Sequence, residues 1–264
     1  MGDPSLSTNR SDDASRGSAG VSSTPMPLSV PALGPRVSMP VVVAIDGPAG
    51  TGKSTLCEAL AERLGGAALH TGRHYRSVTL AAVLANVAVS DEPAVAALLD
   101  SQHPALDQQG KLVLEGRTST LSELESPSVD TLVSAVSNND AVRAKLITLQ
   151  RAWVLGMIQA GHSVVIEGRD ACTQIAPEAR FRFYLNASIE ERNARRSAQR
   201  DTGLTIGCES ESELTRRDSA DQGHGRTTPE TPGVAVIDTD GSPPVEVFER
   251  LWRQLCQPVP PDQR

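Results

Sequence analysis

Residues 47–54 read Gly-Pro-Ala-Gly-Thr-Gly-Lys-Ser, a fit at every position to the spacing G-x-x-x-x-G-K-[ST]. Glycines at this spacing let the backbone curl until its N–H groups point at one centre. A helix N-terminus behind them adds about half a positive charge. Lys53 brings a full charge to β- and γ-phosphates, and the Ser54 hydroxyl is a ligand for Mg2+. The chemistry on offer is phosphate capture. A glycine-rich turn without a ligand is the competing explanation, and strand, loop, Lys, Ser and helix together disfavour it.

A second set of groups is rich in arginine. Thr71-Gly72-Arg73-His74-Tyr75-Arg76 opens a helical stretch, and Gly168-Arg169-Asp170 follows the apolar run SVVIE. Arg192, Arg195 and Arg196 fall close together, and Arg216-Arg217-Asp218 comes later. In a doubly wound sheet, the loops that leave the carboxyl ends of the strands converge on one crevice. Tyr75, Arg76, Arg169 and Asp170 can therefore face the glycine-rich loop. Guanidinium groups there can grip a phosphate bidentately and neutralise charge on a transferring phosphoryl group. For Arg192, Arg195 and Arg196 a solvated helix face accounts for the charges equally well.

Such groups need a scaffold. Pro40–Ile45 (PVVVAI) is a continuous β-branched run, the pattern of a strand buried on both faces. Ser54–Leu64 carries Leu56, Leu60 and Leu64 at four-residue spacing, which predicts an amphipathic helix. Ala67–Leu69, Ser163–Ile166, Arg180–Leu185 and Val234–Ile237 are further strand candidates. Tyr75–Val89 and Ile189–Gln199 read as helices. A last helix is expected to be capped by Ser242, with Pro243 in its first turn and Phe248, Leu251, Trp252 and Leu255 on one face. Strands alternating with helices predict an α/β fold with a parallel sheet covered on both faces.

Composition narrows the function classes. The chain has 264 residues, enough for one large domain or two small ones, and 39 % of them are hydrophobic. No apolar run approaches the ~18 residues of a membrane span. The net charge of −7 makes a poor general binder of nucleic-acid polymers or anionic membranes, so any phosphate must be held locally. Cys57, Cys172, Cys208 and Cys256 are widely spaced, with no zinc-like pairing, and read as reduced core thiols of a cytoplasmic protein. Guanine-specific switches carry an Asn-Lys-x-Asp base reader, and none occurs. Asp238-Thr239-Asp240-Gly241 matches D-x-x-G but follows the last strand, a chance match. The chain after the loop is short for a motor domain.

The first 40 residues hold 9 Ser, 6 Pro and 4 Gly, a composition that cannot offset its chain entropy, so 1–39 is expected to be a disordered tail. It lacks the apolar core of a signal peptide, and Leu6 stands where a myristoylation signal wants Ser or Thr. Met39, directly before the first strand, is an alternative native start that N-terminal sequencing would decide. Residues 257–264 read as a Pro-rich frayed end.

The chain resembles the bacterial cytidylate (CMP/dCMP) kinases of the nucleoside monophosphate kinase superfamily. The matching stretches are VVVAIDGPAGTGKSTL (41–56), LHTGRHYRSVTLAAV (69–83), DTLVSAVSNNDAVRAKLITLQRAW (130–153), VVIEGRD (164–170), FYLNASIEERNARR (183–196) and VAVIDTDG (234–241). They are collinear over about residues 40–255. The P-loop alone is generic, whereas the LxTGxxYR stretch, the Ser134…Arg143 spacing and the EGRD run are specific to the family.

This resemblance implies a P-loop domain over 40–256, with a nucleotide-monophosphate-binding insertion near 100–150 and a lid near 197–230. It implies ATP as phosphoryl donor, Mg2+ on Ser54, and CMP or dCMP as acceptor. Gly47, Pro48, Ala49, Gly50, Thr51, Gly52, Lys53, Ser54 and Thr55 would cradle ATP, with Arg192 and Arg196 as further nucleotide contacts. Thr71, Tyr75 and Arg76 would meet the acceptor, with Arg76 on its phosphate. Ser134, Arg143 and Asp170 would read cytosine, and Arg169 would grip the acceptor phosphate. Arg217 and Asp221 would act from the lid, giving Lys53, Arg169 and Arg217 the catalytic roles. A monomer is expected.

The chain departs from the family pattern at several positions. His70 replaces an Asp, and Glu125 replaces an Arg. In the lid, Ala220 replaces an Arg, and His224, or a shifted Arg226, stands for the last one. Three readings follow: a CMP/dCMP kinase, a kinase of the same fold retuned to a modified nucleotide or another small acceptor, and a non-catalytic nucleotide-binding regulator. Intact Lys53, Ser54 and Arg169 argue against the third.

Overall fold

A computed structural model describes residues 39–201 and 225–257. Strand β1 (Val42–Asp46) lies at the middle of a five-stranded sheet with β2 (Ala67–His70), β6 (Val164–Gly168), β7 (Phe181–Asn186) and β8 (Ala235–Asp238). The order is β2-β6-β1-β7-β8, and every pairing is parallel. Alternation along β1 feeds two cores. Val43 and Ile45 face α1 (Lys53–Leu64) and α8 (Pro244–Leu255), whereas Ala44 packs with Ile166, Cys172 and Val154 on the opposite face. The predicted apolar face of α8 is buried as Phe248, Leu251, Trp252 and Leu255. Arg63 of α1 lies 4.6 Å over the Trp252 ring, a cation–π contact that ties the two helices.

Two local expectations are corrected. Helix α8 begins at Pro244 with Pro243 before it, so Ser242 is not its cap; the Ser242 hydroxyl bonds the Asp240 carbonyl instead, at 3.4 Å. Helix α2 (Thr71–Leu84) starts four residues earlier than Tyr75 and stops short of Val89, because Asn86 adopts a left-handed φ of 56°. The stretch 92–159, which includes the expected insertion near 100–150, is built from several elements. It contains α3 (Glu92–Ser101), a small antiparallel sheet of β3 (Ala105–Leu106), β4 (Leu112–Leu114) and β5 (Arg117–Thr118), then α4 (Leu121–Leu124), α5 (Pro127–Asn138) and α6 (Asp140–Gln159). Tyr75, Val78, Val95, Leu99, Leu112, Val136 and Leu146 form its core. Helix α7 spans Ile189–Asp201.

His74 pins this second core to the first layer. Its Nε2–H donates to the Gly110 carbonyl at 2.8 Å, and Nδ1 accepts from the Gln150 amide at 2.9 Å. Those partners require the neutral ring, and burial pushes its pKa down to about 4. The unfolded chain binds a proton there that the folded chain refuses. Stability is therefore full above about pH 6.5 and declines as pH falls towards 4, by on the order of 3 kcal/mol. Thermal unfolding between pH 5 and 6.5, where carboxylates contribute little slope, should show this decline, and His74→Gln should flatten it.

Candidate active site

Loop 47–52 leaves β1 at the carboxyl edge of the sheet and runs into α1. Gly47 has φ 143°, and a Cβ there would collide with the Leu185 carbonyl, so only glycine can turn the chain this close to β7. Gly52, in the left-handed region at φ 90°, starts α1 and leaves the helix N-terminus uncapped by any side chain. Lys53 is 6 % exposed, and its Nζ curls back over the loop to the Pro48 carbonyl at 2.6 Å. Thr51 Oγ1 donates to the same carbonyl at 3.0 Å. Ala49 is buried, and Ser54 and Thr55 are exposed at the loop exit.

Two arginines converge on this loop. Arg169 Nη1 donates to the Gly47 carbonyl at 2.7 Å. Arg192 is buried, its Nη1 lies 3.2 Å from the Ala49 carbonyl, and its backbone seats against Gly50. A solvated helix face is thus the wrong account of Arg192. Arg195 points elsewhere, to Glu191 at 2.9 Å and to the Thr239 hydroxyl at 3.0 Å. The side chain of Arg196 lies outside the described residues.

Glu167, at the end of β6, was not singled out from the sequence. Its Oε1 accepts from Ser54 Oγ at 3.2 Å and faces His70 Nδ1 at 3.1 Å. Its position could have been found from the last polar residue of an apolar strand beside β1. Burial alone would raise its pKa, but the His70 hydrogen bond and the charges of His70, Lys53 and Arg169 hold it down at about 2. His70 also faces Glu58 through Nε2 at 3.3 Å, so both ring nitrogens meet carboxylates. Burial would depress its pKa; the two carboxylates outweigh burial and raise it. Its contribution is full below about pH 6.5 and fades as pH rises through the folded value, the opposite sign to His74.

The second half of the site lies between α2, α5, α6 and the segment after β6. Thr71 Oγ1 donates to the Glu167 carbonyl at 3.0 Å and fixes the start of α2. Arg143 Nη2 pairs with Asp170 at 2.6 Å, with side chains 6 % and 4 % exposed. Arg143 Nη1 and Arg226 Nη2 share the Ser137 carbonyl at 3.3 and 3.4 Å, and Arg226 also reaches Asn138 Oδ1 at 2.9 Å. Among the described residues the buried Tyr75 hydroxyl has no hydrogen-bond partner. Burial, with the charge of Asp170, pushes its pKa up while Arg143 and Arg226 counter. Ser134 is half-buried one turn before Ser137. Arg76 turns away towards α4 and α5: Nη1 donates to the Leu124 carbonyl at 2.7 Å, and Nη2 lies 2.5 Å from Asp130.

Arg226 arrives on a segment stitched to the sheet edge. Thr227 N donates to the Arg169 carbonyl at 2.9 Å, and Thr227 Oγ1 donates to Asp46 Oδ2 at 2.6 Å. The same Asp46 carboxylate accepts from the amides of Ala171 and Cys172, at 3.0 and 2.7 Å, which start a π-helical turn over Ala171–Ile175. Arg217, Asp221, Ala220, His224 and Cys208 lie outside the described residues. Cys57, Cys172 and Cys256 are free thiols.

Arg169 on the glycine-rich loop is followed directly by Asp170 of the buried arginine–carboxylate pair, and the pattern of the cytidylate kinase family matches residues 43–257. The chain belongs to the cytidylate kinase family. Among curated relatives, the cytidylate kinase of Caldanaerobacter subterraneus subsp. tengcongensis is 35 % identical over 223 residues, covering 83 % of this chain and 96 % of that relative. Those of Symbiobacterium thermophilum and Mycobacterium avium are each 38 % identical, over 81 % of this chain and 95 % of theirs. Against this family background, Glu125 ends α4 directly after the carbonyl that takes Arg76. Among the described residues no helix is long and apolar enough to cross a membrane.

Proposed function

We propose that the chain transfers the γ-phosphoryl group of ATP to the 5′-phosphate of CMP or dCMP, giving ADP and the nucleoside diphosphate. The observation that carries this is the junction at Arg169–Asp170: Arg169 contacts the glycine-rich loop over which Lys53 is folded, and the next residue pairs with Arg143 beside Tyr75. The curated relatives reported above are all cytidylate kinases, which disfavours a retuned acceptor or a non-catalytic regulator.

The loop amides of 47–52 and the α1 N-terminus take the β- and γ-phosphates, and Lys53 swings from the Pro48 carbonyl onto them. Arg169 and Arg192, already against the loop, neutralise charge as it spreads over the transferring group. The donor set at the loop exit suits a small hard cation, since Ser54 directs its proton at Glu167 and leaves its oxygen lone pairs open. Ser54 would hold Mg2+, which when bound neutralises phosphate oxygens. The pair Arg143–Asp170 offers a donor and an acceptor to a base edge, and the partnerless Tyr75 hydroxyl offers another. An acceptor phosphate is already an anionic nucleophile, so no general base is needed and catalysis is positioning plus charge stabilisation. Arg217 and Asp221 would join from the lid, Arg196 would add a nucleotide contact, and the protein would work as a cytoplasmic monomer.

The test is ADP formation from Mg·ATP against a panel of CMP, dCMP, UMP, AMP, GMP and nucleosides. Rapid, Lys53-dependent turnover of CMP and dCMP is expected. ATP consumption confined to another acceptor, or absent with all of them, would overturn the reading. Glu125→Arg should lower KM for CMP by about threefold to fivefold, the scale of a partly exposed charge reversal. An unchanged or higher KM would remove Glu125 from acceptor binding.

A further inference from the structure

The two ends of the Arg76 guanidinium that could fork onto a phosphate are both engaged. Nη1 is spent on the Leu124 carbonyl at 2.7 Å, and Nη2 lies 2.5 Å from Asp130 Oδ1. The two side chains are only 18 % and 15 % exposed, so water screens this pair less than a surface pair. The contact is nevertheless imperfect. Asp130 Oδ1 is buried and receives no aligned hydrogen bond among the described residues, so charge rather than directed N–H···O geometry holds the oxygen there. Asp130 sits in the first turn of α5, whose N-terminus stabilises the carboxylate whether or not Arg76 is near. A dianionic phosphate can therefore replace it at Arg76 without leaving Asp130 uncompensated.

We propose that Asp130 is an affinity-determining residue for the acceptor: its carboxylate occupies the Arg76 guanidinium in place of the acceptor phosphate and must be displaced when the nucleotide binds. The inference rests on the assignment of the α2–α5 face to the acceptor. It gives Asp130 the opposite role to that of a residue that merely pre-orients Arg76. The internal ion is a built-in competitor, which weakens CMP without touching the ATP side.

Asp130→Asn keeps the side chain's shape and removes its charge. Calorimetric titration of CMP and steady-state ADP formation are measured on wild type, Asp130→Asn, Arg76→Gln and the double variant. Asp130→Asn should tighten CMP binding and lower its KM by about tenfold, the scale of one charge-assisted hydrogen bond released for use. KM for ATP should stay unchanged, and in the Arg76→Gln background the gain should vanish. A gain of affinity cannot arise from a damaged fold, and Asp130→Ser gives a second variant that should show it too. Unchanged or weaker CMP binding in Asp130→Asn, with wild type turning over CMP normally, overturns the inference alone. A gain that persists without Arg76 also overturns it. Wild type that neither binds nor phosphorylates CMP overturns the acceptor assignment beneath it.

Discussion

Lys53→Ala is expected to lower kcat by about 10²- to 10³-fold, the scale of one removed electrostatic donor in a water-poor site. The ammonium lies over the loop at the Pro48 carbonyl, from where it can swing onto the phosphates. Arg169 and Arg192 are engaged by the Gly47 and Ala49 carbonyls, so they add to the charge that Lys53 supplies rather than duplicating its place. Glu167 keeps two of its cations, His70 and Arg169, when Lys53 is gone, so the fold should survive. Single-turnover ADP formation, with a thermal scan as control, separates the two effects. A folded variant with wild-type rate would refute the assignment of Lys53.

Asp170→Ala is expected to cost both stability and acceptor binding. Arg143 would be left as a buried cation without its carboxylate, a situation that costs about 3–5 kcal/mol. For a domain of this size that lowers Tm by roughly 10 °C. CMP turnover should be lost while ATP binding persists, because the Asp170 carboxylate is committed to Arg143 and it is Arg169 that meets the phosphate loop. Asp170→Asn, which retains an oxygen acceptor for Arg143, should recover part of the stability and less of the turnover. A thermal scan of Asp170→Ala matching wild type would show that the pair is not buried as described.

These outcomes trace back to features of unequal legibility. The phosphate loop, β1, α1, β6 to β8 and the buried face of α8 were readable because their signals are local. Val43, Ala44 and Ile45 alternate every second residue, and Leu56 and Leu60 recur every fourth. Strands of two or three residues such as β3 and β5 carry no period at all, so the small sheet was not readable. Local pattern also failed wherever distant segments decide a side chain's direction. Arg192 reads as one of several helix charges until the loop 143 residues earlier meets it. That Arg76 meets a carboxylate of its own chain is hidden until α5 brings Asp130 to it. His70 reads as an odd substitution until β6 sets Glu167 beside it. The substitutions that distinguish this chain from its family pattern were visible as residues, but their partners are set by tertiary approach.

The Asp46 carboxylate explains why an amide could not stand at that position. Three donors converge on it: two backbone amides from the turn after β6 and the Thr227 hydroxyl. An Asn would offer one oxygen and turn its own NH2 against a backbone N–H, so one of the three ties would become a repulsion. The side chain closest in size to Asp is thereby ruled out, and the junction of three separate segments of the chain rests on two equivalent oxygens.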